Sequence, residues 1–312
     1  MNLPAQVPPS TESLDVVVVG EALTDVVISA HGSSEHPGGS PANVAYGLGR
    51  LGVATGLMTA LGNDERGAAI DTHLHSAGVT ILPGAYSLDK TSSATATLAQ
   101  DGSATYDFDV VWDLDPVFPG QAPQVFHTGS IAAFLAPGAD AVKGVLQKFR
   151  NDCTLTFDPN IRPALLGSHA EALQTFEEFI ELSHVVKLSD EDAAWLYPRK
   201  SLEETATHLL GLGAGLAVIT QGGQGSLLAS SESRITIPSV QSTVADTIGA
   251  GDSYMAALIM GLLTRPADSF APEVLEALGR TASMAAAITV RRPGANPPTA
   301  EELRWHLEQA AV

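Results

Sequence analysis

The chain has 312 residues, 45% of them apolar and 16% charged, a composition that suits a soluble globular protein of one large domain or two small ones. Sixteen basic against 35 acidic residues give a formal net charge of −19, a field that repels phosphate backbones and anionic bilayers and excludes nucleic acid and membrane as expected partners. The single cysteine, Cys153, excludes an intrachain disulfide and a thiolate cluster and fits a reducing compartment, with the cytoplasm as the expectation.

The opening MNLPAQVPPSTES has neither a basic n-region nor an apolar core, and no uncharged apolar run approaches the roughly 20 residues of a membrane helix. It reads as a short disordered lead. Residues 14–19, LDVVVV, are a β-branched run of the kind buried on both faces of a parallel sheet. Asp25 closes GEALTD at the C-terminal end of this first strand, where open α/β sheets bind ligands, and its carboxylate suits two vicinal hydroxyls. Ser40 as N-cap, Pro41 at the first helical position and Gly52 as the stop predict a helix. Further strands are expected within 53–61 and over 124–128, 153–158, 184–188 and 216–220. Helices are expected over 64–77, 137–150, 168–182, 190–197 and 201–212. The alternation predicts an α/β fold with a mostly parallel sheet covered on both faces. Residues 91–112 break it: alternating strands about Asp101-Gly102 predict an antiparallel hairpin with a type I′ turn. Together with residues 26–38 the hairpin predicts a small separate sheet, a lid, with Tyr106 or Phe108 facing the cleft. The tail is helical over 272–290 and again over 299–309, where Thr299 and Glu302 have capping-box spacing.

Gly47, Gly49 and Gly52 match the dinucleotide fingerprint G-x-G-x-x-G. That motif must end a strand and open a helix, whereas here it closes a helix, so we read it as helix packing and a C-cap. No Walker A pattern occurs. GGSPAN at 38–43 brings backbone close to a ligand through Gly38 and Gly39 and offers the donors and acceptors of Asn43, as a sugar requires. FDPNIRP puts Asp158, Asn160 and Arg162 at a strand end, either as an ordinary Asp-Pro turn or with Arg162 meeting a phosphoryl group. In KLSDED, Ser189 and Asp192 form a capping box that is compatible with a magnesium-water contact. TQGGQGS, with Thr220, Gly222 and Gly225, either lines a nucleotide or links a hairpin. DTIGAGDSY places Gly249, Ala250 and Gly251 before Asp252 at the start of a helix. The loop is an anion nest with a carboxylate beside it, or Asp252 is simply the cap of that helix.

GGSPANVAYGLGRLG early and DTIGAGDSYMAAL late, in that order and about two hundred residues apart, identify a resemblance to the ribokinase-like, or PfkB, carbohydrate kinases over nearly the whole chain. The resemblance implies a three-layer Rossmann-like domain with a β lid and ATP-dependent phosphorylation of a sugar hydroxymethyl group, and the exposed edges of such a lid predict a homodimer joined through it. It implies Asp252 as catalytic base, with Gly249, Ala250 and Gly251 as the anion hole and Arg162 beside the phosphoryl group. Sugar contacts fall on Asp25, Gly38, Gly39, Asn43 and Phe108, and nucleotide contacts on Ser189, Thr220, Gly222, Gly225 and Gly251. Asp192 takes the place of the family's N-x-x-E glutamate, holding magnesium through water. Asp246, Ile248, Arg292 and Gly294 match the loops that hold potassium. FDPNIRP, GSIAAFLAPGA, KLSDED and RRPGANPP look most like fructokinases, and Leu23 stands where ribokinases usually carry asparagine. Fructose is therefore the expected sugar, ahead of 2-keto-3-deoxygluconate, ribose or a nucleoside. A non-catalytic sugar or nucleotide sensor is the reading from another class.

Overall fold

The computed structural model describes residues 13–30, 32–98, 104–117, 121–264 and 270–310. The valine run becomes β1 (Val16–Val19), buried throughout. Val16 and Val18 enter one core and Val17 and Val19 the other, because successive side chains of a strand point to opposite faces. The chain continues through β2 (Leu23–Ser29), β3 (Gly32–Gly38), α1 (Ser40–Arg50), β4 (Thr55–Met58), α2 (Glu65–Ser76), β5 (Thr80–Ile81), β6 (Ser93–Leu98) and β7 (Ala104–Asp109). There follow β8 (Val125–Gly129), α3 (Gly138–Phe149), β9 (Thr154–Asp158), α4 (His169–Leu182), β10 (Val185–Ser189), α5 (Asp190–Leu196), α6 (Leu202–Gly211) and β11 (Leu216–Thr220). Last come β12 (Ser226–Ser230), β13 (Arg234–Ile237), α7 (Ala250–Leu263), α8 (Pro272–Thr289) and α9 (Ala300–Ala310).

The main sheet has the order β13-β12-β11-β10-β9-β8-β1-β4-β5, parallel from β11 to β5 and antiparallel at the β11-β12-β13 edge. Helices α1, α2, α7, α8 and α9 pack on one face, and α3, α4, α5 and α6 on the other. This is the expected α/β sandwich. The chain leaves β1 towards β4 and later returns to its other side as β8, so the switch point lies at the carboxyl ends of β1 and β8, where crevices form in such sheets.

The hairpin strands β6 and β7 join a separate four-stranded sheet, β3-β2-β6-β7, in which β2 and β6 are parallel and the other pairs antiparallel. This matches the expected small sheet; the Asp101-Gly102 turn and the N-terminal lead lie outside the described residues. Three differences have local causes. Strand β2 begins at Leu23, so Asp25 belongs to the small sheet rather than to the end of β1. Gly39, at φ 96°, is the N-cap of α1, and Ser40 makes no cap bond because its hydroxyl is engaged elsewhere. Strands β5 and β13, of two and four residues, are too short to carry a periodic signal. Among the described residues no helix is long and apolar enough to cross a membrane.

Candidate active site

Gly249 sits in the left-handed region at φ 74°, and a Cβ there would come within 2.7 Å of the Ala295 Cβ, so glycine is required on both counts. The turn opens α7, whose apolar residues Met255, Ala256, Ala257, Leu258 and Ile259 are wholly buried and fix the helix start against α1 and α8. Ala250 donates only a long bond, 3.3 Å, to the Thr247 carbonyl, as suits the first turn of a helix, whose amides have no intrahelical acceptor.

Asp252 is the third residue of α7, and no side chain caps this helix. Its Oδ1 accepts from the Ser40 hydroxyl at 2.6 Å and its Oδ2 from Asn43 Nδ2 at 2.9 Å. The carboxylate therefore spends its hydrogen bonds on α1, and the capping account of Asp252 fails. Burial pushes its pKa up; the bonds from Ser40 and Asn43 and the charges of Lys187 and Arg162 pull it back.

Asp25 pairs in register with Ala94, and Ala94 with Phe108, so Asp25 and Phe108 share one face of the small sheet. A Cβ on Gly38 would lie 2.0 Å from Asp25 Oδ2, and one on Gly39 would lie 2.7 Å from the Glu21 carbonyl oxygen. Both glycines are thus close-approach positions. Burial raises the Asp25 pKa, the Arg162 charge lowers it, the Asp252 charge raises it and the His36 charge lowers it. Arg162 is exposed, donates to the Ile161 carbonyl at 3.0 Å, and lines a cleft with Ser130 and Asn160.

Ser189 and Thr220 are paired neighbours at the carboxyl ends of β10 and β11. Gly222 and Gly225 adopt φ 50° and 103° in the turn that joins β11 to antiparallel β12, so TQGGQGS does link a hairpin, at the crevice rim. Asp192 completes its capping box by accepting from Ser189 N at 3.0 Å, and its other oxygen accepts from Ile161 N at 2.8 Å. With both oxygens already accepting from amides, Asp192 suits a contact to a metal through water. Among the described residues no three His, Cys, Asp or Glu side chains gather as a metal cage. A divalent ion would come held by phosphate oxygens and water. Asp246 accepts from Ile248 N and Gly294 N, stitching the loops before α7 and after α8, while Arg292 turns to Glu302 at 2.7 Å.

Two buried charged residues went unread in the sequence. Lys187 stands in the otherwise apolar HVVKL strand and binds Asp158 at 2.6 Å, with the two side chains 6% and 2% exposed. A lysine inside a strand buried on both faces was the available signal. Glu21 follows β1 and accepts from Ala132 N at 2.9 Å, bracing the short 3-10 turn Ser130–Ala133.

The pfkB family carbohydrate kinase model matches residues 13–302. Fructokinase-1 of Oryza sativa subsp. japonica is 30% identical over 320 residues, 95% of this chain and 98% of the relative. An uncharacterized sugar kinase from Pyrococcus horikoshii, solved in complex with ATP, superposes with a TM-score of 0.75 at 27% identity, covering 92% of this chain and 99% of the other. Aminoimidazole riboside kinase from Salmonella enterica, solved with aminoimidazole riboside and an ATP analog, gives a TM-score of 0.79 at 25% identity over 94% and 99%. The chain belongs to the pfkB family and is an ATP-dependent carbohydrate kinase.

Proposed function

We propose that the protein transfers the γ-phosphoryl group of ATP to a hydroxymethyl group of D-fructose, with Asp252 as the base. The observation that carries the base is the Asp252 carboxylate itself, held between Ser40 and Asn43 at a helix start whose amides it does not cap. In this reading Asp25, Gly38, Gly39, Asn43 and Phe108 surround the sugar. The primary hydroxyl gives its proton to Asp252 as its oxygen bonds to the γ-phosphorus, the bond from that phosphorus to the β,γ-bridging oxygen breaks, and ADP leaves. The amides of Gly249, Ala250 and Gly251, with Arg162, face the charge on the transferred oxygens. Ser189, Thr220, Gly222 and Gly225 line the nucleotide side. Asp192 would hold a magnesium ion through water, and the ion would supply neutralisation of the phosphate charge.

Fructose is favoured by the rice relative and by the fructokinase-like segments of this chain. The Salmonella neighbour supports a second reading, a nucleoside-like riboside. A coupled ATP-consumption assay over ketoses, pentoses, 2-keto-3-deoxy acids and ribosides decides between them. The highest kcat/KM falls on fructose in our reading, and a higher value on any other class overturns it.

We also read residues 26–38 and 91–112 as a lid on one α/β domain, with the small sheet as a homodimer surface. Its edge strands β3 and β7 support this, since an open edge is a template for pairing. A monomer by light scattering would count against the dimer. The Asp246–Gly294 stitch supports a potassium site under the anion hole, tested by turnover in potassium against sodium buffer.

A further inference from the structure

The buried pair Lys187–Asp158 has no part in the chemistry above, and its position is unusual. A lysine taken into the middle of a parallel sheet loses its hydration, and a carboxylate partner only partly offsets that loss. Asp158 Oδ2 accepts from Lys187 Nζ at 2.6 Å, yet Asp158 Oδ1 is buried without a partner. The pair is therefore incompletely satisfied as a structural bridge. The ammonium also lies 3.2 Å from the point where a Cβ on Gly251 would stand. It is thus directly beneath the first turn of α7, one residue from Asp252.

The charges around Asp252 explain why a cation belongs there. From α1 it faces the neutral donors Ser40 and Asn43, from the segment after β9 it faces Arg162, and from β10 it faces Lys187. Against these stand three further carboxylates: Asp25 on β2, Asp158 on β9 and Asp192 on α5, the last interacting with both Asp158 and Lys187. Arg162 is exposed, so its field is screened by water, whereas Lys187 is 4% exposed and is not. Remove Lys187 and the four carboxylates are left with the exposed Arg162, and with His36 acting on Asp25.

We propose that Lys187 is a positioning residue of the phosphoryl transfer: its buried ammonium, lodged under Gly251, keeps the Asp252 carboxylate ionised and so able to take the sugar hydroxyl proton. The inference rests on Asp252 being the base. Burial pushes Asp158 up to about 6 against the pull of Lys187. Burial draws the Lys187 pKa down, but the nearby carboxylates, Asp158 first, leave it above the ordinary lysine value, so the cation persists at every working pH.

The test is the pH dependence of kcat/KM, on the sugar the native enzyme turns over fastest, for Lys187→Met, Asp158→Asn and Asp252→Asn. Lys187→Met should move the acidic limb up by about one pH unit with the sugar KM unchanged. Asp158→Asn, which removes a neighbouring negative charge and keeps the lysine, should move that limb down, and it decides the matter alone if Lys187→Met does not fold. A native limb in folded Lys187→Met, or in Asp158→Asn, overturns the inference when Asp252→Asn is inactive. Retained turnover in Asp252→Asn overturns the base assignment itself, and the inference with it.

Discussion

Asn43 Nδ2 donates to Asp252 Oδ2 at 2.9 Å, joining two helices whose residues stand 209 positions apart in the chain. The bond orients the carboxylate, but it is not what holds α7 at its start, since the cap position belongs to Gly249. Asp252→Asn should therefore lower kcat by roughly 10² to 10⁴. The melting temperature should stay native or rise, because burial penalises the charged form that Asn removes. Calorimetry and steady-state turnover on one preparation check both; full activity would return Asp252 to a purely structural part.

Ser40→Ala deletes the 2.6 Å bond to the other oxygen. A hydrogen bond to a charged group is worth about 1.5–3 kcal/mol, and this one favours the ionised form. The acidic limb of kcat/KM should rise by about one to two pH units. An unmoved limb would mean that the hydroxyl stabilises both protonation states equally.

Gly38→Ala would put a methyl 2.0 Å from Asp25 Oδ2, which the carboxylate can escape only by turning away. The expected outcome is at least a ~10-fold rise in sugar KM, with a smaller change in nucleotide KM. Equal losses in both would show that the substitution disturbs the sheet rather than the sugar contact.

Two buried groups give the stability profile opposite slopes. Burial raises Glu21 to about 7 from 4.5, so the folded state holds a proton that the unfolded state has released, and stability falls as pH rises from 4.5 to 7. Burial depresses His127 to about 3 from 6.5, so the unfolded state takes up the proton first, and stability is lost as pH falls from 6.5 towards 3. Each slope is about 1.4 kcal/mol per pH unit, and they cancel where the windows overlap. Urea denaturation should show stability relative to the native chain rising with pH between 5 and 6.5 in Glu21→Gln, and falling over the same interval in His127→Gln, a comparison in which the like contribution of Asp158 drops out. Parallel profiles for the two variants would refute the assignment.

The main strands and helices were legible because parallel strands buried on both faces are continuous apolar runs, and because helix starts such as Ser168 and Ser189 carry caps. The two glycine motifs gave the family. What stayed hidden depends on through-space contact. Ser40 has the chemistry of an N-cap, and only the approach of α7 shows its hydroxyl turned to Asp252. Asp25 reads as the end of β1 because nothing local marks where the small sheet begins. Lys187 reads as part of a strand and nothing more, since its partner lies 29 residues away.

Gly47 is buried where α1 meets α7, and a Cβ on it would stand 2.9 Å from the Ala256 Cβ. The pattern that mimics a nucleotide fingerprint is thus where the two helices touch backbone to side chain. Any larger residue at 47 would part the helix axes and draw Asn43 away from Asp252. Ser40, Asn43 and Asp252 are consequently carried by one rigid body sealed at its centre. The amides of α7 around Ala256 should then exchange with deuterium only through global unfolding, while those of β3 and β7, at the edges of the small sheet, exchange through local opening.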